Sequence, residues 1–299
     1  MITKNIQQKI VPFLWFSNEA EEAVNFYISC FKNSRMGSVS RYDEASAKAS
    51  GQSKDSVLTA SFQLNGQEFI ALNGGPVFKF TPAISFSVNC ETENEVNELW
   101  KKFSDGGTVL MELSQYPFSK KFGWIEDKYG LSWQLNFTGC PQKIIPSLMF
   151  TGNVAGKAEE AMNFYISLFK NSEIKVLSRY AAGGHGKEGT VEFALFSLGN
   201  EDFIAMDSDF EHEFSFTPAV SFFLYCDTQN EIDFFWNHLT EGGKEVECGW
   251  LEDKYGLSWQ IVPTVLFGLL NNPDPEKAKR SMQAMLKMKK LDIKTLEEA

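Results

Sequence analysis

The chain has 299 residues, of which 43% are hydrophobic and 22% charged, enough for two folded cores without disulfide or metal staples. Its net charge of −11 opposes phosphate backbones and anionic lipid surfaces, so nucleic acid is not expected as a partner. Cys30, Cys90, Cys140, Cys226 and Cys248 are odd in number and lack zinc or CxxC spacing, which argues against a disulfide framework or structural zinc and predicts reduced, mostly buried thiols.

The first element is the apolar run from Lys9 to Phe16, too short for a helix and rich in strand formers, hence a buried strand. Asn18 is placed to cap a helix whose first turn carries Glu19, Glu21 and Glu22, and whose apolar face is Ala23, Phe26, Tyr27 and Cys30. Three strands follow near 38–42, 57–64 and 68–72, the last two joined by the hairpin dipeptide Asn65-Gly66. The series then restarts. Residues 82–88 read as a strand, and 92–103 as a helix with Val96, Leu99, Trp100 and Phe103 on one face, stopped by Asp105-Gly106-Gly107. Strands near 109–113, 122–126 and 131–137 complete a second strand, helix, three-strand module.

Everything then repeats. Ile144 to Phe150 matches the opening strand, Ala161 to Ser172 matches Ala23 to Ser34, and GWLEDKYGLSWQI from Gly249 matches GWIEDKYGLSWQL from Gly123. The connection from Thr108 to Phe122 reads as a rim loop that the second copy has lost, since only five residues separate Gly243 from Gly249. Residues 43–56 and 183–187 read as mobile surface loops. Past Pro263 the character changes: Asp274-Pro275 starts a helix with Ala278, Met282, Met285, Leu286 and Met288 on one face, and Asp292 starts a short second one.

Pro12 to Phe16 with Ala23 to Tyr27, Gly123 to Gln134, and their second-copy equivalents carry a resemblance to the vicinal oxygen chelate superfamily, which includes glyoxalases, bleomycin-resistance proteins and dioxygenases. Within it the chain is similar to the PhnB-like group. The resemblance implies an α+β fold of paired βαβββ modules, four in all. They divide into PhnB-like units at 1–139 and 140–263, with a helical tail at 264–299. Each unit is expected to curl its two modules into an incomplete barrel. The chain then serves as its own pseudo-dimer, with a homo-dimer still open.

Metal-dependent members hold a divalent ion between first and last strands of the modules. Carried over, the first-strand positions fall at Pro12 and Pro146, with Ala83 and Ala219 in the second modules, and the last-strand glutamate falls at Gln134 and Gln260. No metal and no cofactor is therefore expected. His185, His212 and His238 are read as surface residues. Alternation puts Ser132, Gln134 and Asn136 on one strand face and Trp133 on the other. The family register turns the polar set inward and adds Leu14, Phe16, Leu148 and Phe150, giving ligand-pocket candidates Leu14, Phe16, Ser132, Gln134, Leu148, Phe150, Ser258 and Gln260. Whether they line a cavity or fill a core stays open. The repeated Glu126-Asp127 and Glu252-Asp253 pairs read as turn chemistry, because neighbours on a strand point to opposite faces.

The leading reading is a cytoplasmic, metal-free binder of a small molecule, with enzymatic turnover left open. The alternatives are a metal-dependent dioxygenase, glyoxalase-like or resistance enzyme, and an interaction module using the Met-rich tail. The group's customary label, 3-demethylubiquinone-9 3-methyltransferase, finds no glycine-rich nucleotide loop to support it. No run in the sequence approaches a membrane span and the N-terminus has no apolar leader core, so no membrane partner is expected.

Overall fold

The computed structural model describes residues 8–42, 44, 47 and 51–299. The region predicted as a loop at 43–56 therefore lies partly outside the described residues. Four βαβββ modules follow one another. The first is β1 (Ile10–Phe16), α1 (Ala20–Cys30), β2 (Arg35–Arg41), β3 (Val57–Leu64) and β4 (Gln67–Asn73). The second is β5 (Ile84–Cys90), α2 (Glu93–Phe103), β6 (Thr108–Tyr116), β7 (Ser119–Glu126) and β8 (Ser132–Phe137). The third is β9 (Lys143–Phe150), α3 (Ala158–Leu168), β10 (Glu173–Arg179), β11 (Val191–Leu198) and β12 (Glu201–Asp207). The fourth is β13 (Val220–Cys226), α4 (Gln229–Leu239), β14 (Lys244–Glu245), β15 (Trp250–Glu252) and β16 (Ser258–Pro263), followed by α5 (Leu266–Leu270), α6 (Pro275–Met285) and α7 (Ile293–Glu297).

The strands of the larger unit make one eight-stranded sheet and a four-stranded run, and the smaller unit adds another run. The sheet runs β10-β11-β12-β9-β5-β8-β7-β6; the runs are β1-β4-β3-β2 and, in the smaller unit, β14-β15-β16-β13. The sheet is mixed, with β9 parallel to β12, β5 parallel to β8, and β5 antiparallel to β9. That last ladder corrects the expectation that modules one and two alone close a barrel: the second module shares its sheet with the third. The connection between Phe137 and Lys143 is only long enough to carry the chain past β5, so β9 lies against β5.

The chain divides into two compact units, Pro12–Val220 and a second that joins residues up to Val11 to Ser221–Ala299. Within the larger, one aromatic core ties modules one and two together. Tyr27 stacks on Phe62 and lies 5.4 Å from Trp133, while Trp133 stacks on Phe103 at 4.9 Å. Phe69 meets Phe86 edge-on at 5.5 Å. All six are buried, and burying aromatic rings of this size supplies much of the hydrophobic stabilisation. In the smaller unit Trp259 and Phe222 pack likewise at 5.5 Å.

Helix starts are satisfied by partly unforeseen groups. Thr92 and Thr228 accept the backbone N–H of Glu95 and Glu231, and Asp274 and Asp292 cap the tail helices. Asn18, however, does not cap α1. Asn73 at the end of β4 accepts the Ala20 N–H at 2.8 Å, and Asp207 at the end of β12 accepts that of Ala158 at 3.0 Å. A strand end anchors the helix start through 53 residues of separation, which local sequence does not reveal. The expected rim loop also differs: β6 and β7 form a long hairpin with Tyr116, Phe118 and Phe122 clustered near its tip.

Candidate functional site

The doubled turn is a scaffold. Asp127 is buried and its Oδ1 accepts the backbone N–H groups of Tyr129 at 2.8 Å and Leu131 at 3.1 Å. Its Oδ2 accepts Trp133 Nε1–H at 2.9 Å and the Tyr27 hydroxyl at 2.8 Å. Burial raises the carboxyl above its usual range against the pull of these four bonds. Burial also pushes the Tyr27 phenol well up, with the Asp127 charge adding to it. Asp253 repeats the pattern with Tyr255 N–H, Leu257 N–H and Trp259 Nε1–H. With both lone-pair sets occupied, neither carboxylate is placed for proton transfer.

The opposite face of the larger unit's eight-stranded sheet is where polarity collects. Ladder register puts Ser85 beside Ser132 and opposite Ser147, and Ser87 beside Gln134 and opposite Ile145. Gln134 Nε2–H donates to Ser85 Oγ at 2.8 Å, and Trp124 Nε1–H donates to Ser132 Oγ at 2.7 Å. Ser147, 1% exposed, has an Oγ without a hydrogen-bond partner. Parallel pairing adds Ile204 beside Ser147 and Met206 beside Met149, and β7 adds Trp124 opposite Gln134 and Glu126 opposite Ser132. Trp124, Glu126, Asn136 and Met206 are half-buried, so they form the rim of a buried polar row. Burial raises the Glu126 carboxyl, and the neighbouring Asp127 charge adds to it.

Ser132 and Gln134 thus share one face. Leu148 and Phe150 do not join them. Leu148 opposes Ile84 and Pro146 opposes Phe86, on the helix side, and Phe150 pairs with Asp207, which caps α3. Leu14 and Phe16 go the same way, paired with Ala71 and with Asn73, which caps α1. The inward positions of β9 are therefore Ile145, Ser147 and Met149, one residue away from the expected set, and a one-residue shift exchanges every side chain between faces. Ser258 and Gln260 lie together on β16, where Gln260 Nε2–H donates to Ser221 Oγ at 3.0 Å. Around that pair Phe223 and Tyr225 occupy the face, and Phe267 of α5 covers them at 5.9 and 6.1 Å. Ser147, Ser85 and Ser87 were not among the sequence candidates. Their signal was the interruption of apolar runs by serine.

Of the positions carried over from metal-dependent members, Gln134 lies on this face and Pro146, paired with Phe86, on the other. The groups on this face are the hydroxyls of Ser85, Ser87, Ser132 and Ser147 and the Gln134 amide, which donates to Ser85, with the Glu126 carboxyl at the rim. Among the described residues no group of three His, Cys, Asp or Glu is placed to hold a metal. His212 Nε2 meets Ser208 Oγ at 2.8 Å in a loop cavity of about 520 Å³ lined by Gly152, Ala155 and residues 208–213, apart from the polar row. His238 bonds the Phe234 carbonyl within α4, and His185 is exposed. The cysteines are free thiols; Cys90 and Cys226 are buried and pushed up to about 12 by that burial, whereas Cys30 and Cys248 are half-buried and Cys140 is exposed, against the expectation of mostly buried thiols.

Residues 8–136 and 142–262 each match the family described as 3-demethylubiquinone-9 3-methyltransferase. The chain belongs to this family, carrying its unit twice. A PhnB protein from Bacillus cereus is 49% identical over 44% of this chain and 100% of that one, with a TM-score of 0.41. Glyoxalase I from Zea mays is 12% identical over 84% of this chain and 90% of that one, with a TM-score of 0.53, a likeness of fold. No curated protein matches the chain. Among the described residues no helix is long and apolar enough to cross a membrane.

Proposed function

We propose that this tandem PhnB-like protein binds a small molecule on the polar face of β5, β8 and β9, without a divalent metal. The observation that carries the reading is the buried row Ser85, Gln134 and Ser147, ringed by half-buried Trp124 and Met206. Core strands of this length fill with aliphatic side chains unless polarity has a use, because a buried hydroxyl without a partner costs about 1–3 kcal/mol. A few polar groups on an apolar surface are what orients a small ligand. The methyltransferase description gains no support from the architecture: the sheet of β5, β8 and β9 is mixed, and among the described residues no glycine-rich turn feeds a helix at the end of a parallel strand.

A thermal-shift screen of aromatic and quinone-like compounds, run with and without added Mn²⁺, Ni²⁺ and Zn²⁺, tests this. Stabilisation by at least one compound class independent of metal is expected. Stoichiometric transition metal in protein purified without a chelating tag would overturn the metal-free reading.

A further inference from the structure

The two copies keep most of the polar row, Ser85, Ser132 and Gln134 recurring as Ser221, Ser258 and Gln260, and differ at Ser147 and at the positions around it. Aligning Lys9–Phe16 on Lys143–Phe150 sets Phe13 where the second copy has Ser147, and Trp15 where it has Met149. Aligning Pro82–Cys90 on Pro218–Cys226 sets Ser87 against Phe223 and Asn89 against Tyr225. The aromatic members are covered. Phe267 lies on Phe223 and Tyr225. Trp15 donates to the Gly75 carbonyl at 2.8 Å and meets Phe78 at 4.9 Å, with Gly74 so close to the indole that a side chain there has no room. Phe13 is 5% exposed. The polar members keep, at Ser147, a hydroxyl with nothing to bond.

Resting on the small-molecule reading above, we infer that the chain carries one ligand site, at Ser147 on the face of β5, β8, β9 and β12. The ligand presents to Ser147 and Gln134 an uncharged hydrogen-bonding group, an amide or hydroxyl carried on an apolar body. The aromatic positions, Phe13 and Trp15 in the first copy and Phe223 and Tyr225 in the second, are structural. Charge selects the class. Among the described residues the register places Glu126 near the row and, at the strand ends, Lys143 held by Asp202 at 2.5 Å. An anion would meet Glu126 and no free counter-charge, and a cation would be stripped of water beside hydroxyls and Ile204. A neutral group loses neither. Ser147 both donates and accepts, and directly opposed Ser85 stands within about 5.5 Å at Cβ.

The test uses three isosteres on the full chain, benzamide, benzoate and benzamidine, titrated while following Trp fluorescence and side-chain methyl NMR shifts. Benzamide is expected to bind with one equivalent per chain, shifting the methyls of Met149, Met206 and Ile204, and to exceed both charged isosteres at least about tenfold. Ser147→Ala should weaken benzamide roughly tenfold yet raise the melting temperature of the free protein by about 2–4 °C, since a lost orphan hydroxyl relieves a cost. A purely structural serine would not move both readouts in opposite senses. Phe13→Ser should leave the stoichiometry at one. Equal binding of benzoate or benzamidine, two equivalents, or indifference of benzamide to Ser147→Ala overturns this inference while leaving small-molecule binding standing. Binding of none of the three, with no hit in the wider screen, removes the small-molecule reading itself.

Discussion

The face bearing Ser85, Ser87, Ser132 and Gln134 and the face bearing Ser221, Phe223, Ser258 and Gln260 share one sequence pattern and differ in what surrounds it. Each keeps a glutamine bonded to a serine, Gln134 to Ser85 and Gln260 to Ser221. Each also keeps the buried aspartate under its turn. What diverged is the surround: serine and asparagine on β5, but phenylalanine and tyrosine on β13 with Phe267 laid over them. The parts common to both copies are those the fold needs. The parts that differ are the candidates for function.

The common part predicts the largest effect. Asp127→Asn keeps the volume but turns an acceptor oxygen into a donor facing Tyr27 O–H and Trp133 Nε1–H. Urea unfolding should show a loss of about 3 kcal/mol, and Asp253→Asn a loss of similar size. A marked difference between the two would break the claim that the turn is equally structural in both copies.

The glutamines come next. Gln134→Glu and Gln260→Glu each install a carboxyl in a site at most 7% exposed, and burial raises the folded-state pKa of such a group above its unfolded value of about 4.3. An acid with a raised folded pKa contributes fully below the unfolded value and loses that contribution as pH rises through the folded value. Both variants should therefore be near wild-type stability below about pH 4 and destabilised by about 2 kcal/mol at pH 7, Gln260→Glu more so because aromatic rings surround it. Tight, stoichiometric Mn²⁺ or Ni²⁺ binding by Gln134→Glu would show that one acid restores a metal site and would sharpen the contrast with its parent.

The covering ring is worth less. Phe267 is 39% exposed, so Phe267→Ala should cost about 1–2 kcal/mol, under half of a full Phe truncation. Bringing a hydrophobic dye to the uncovered Phe223 and Tyr225 should raise its fluorescence. No change in dye binding would mean that Phe267 is not what closes this face.

Much of this contrast was written in the chain, though not all of it was readable. The repeat fixed four modules, and turn dipeptides such as Asn65-Gly66 placed hairpins where the ladders have them. Strand faces were harder. In β1 and β9 nearly every residue is buried, so no polar alternation marks the two sides, and only the ladders show that Leu148 and Phe150 lie on the face opposite Gln134. The carboxamide of Asn73 and the carboxylate of Asp207 act on helices far away in sequence, and propensity carries no sign of that. The serine-for-phenylalanine exchange at 147 and 13 was visible all along, but it acquires meaning only once Ser147 is known to face Ser85.

The smallest effect tests a feature of the second copy alone. Asp202, beside Ser147's own sheet, accepts from Lys143 at 2.5 Å and Lys175 at 2.6 Å. The first copy has Glu68 and Gly37 at the matching positions and uses Lys9 to hold Glu231 instead. Burial alone would raise the Asp202 carboxyl, yet the two ammonium groups outweigh it and hold the group below its usual range. A depressed folded pKa gives stability that is present above the unfolded value of about 3.9 and is lost as pH falls through the folded value. Asp202→Asn should therefore cost under about 1 kcal/mol at pH 7, as expected for largely solvated partners, and the difference from wild type should shrink in acid and in 1 M NaCl. If the loss instead persists unchanged at pH 2 and high salt, the residue acts through packing, and the charges at this strand end do not distinguish the two copies.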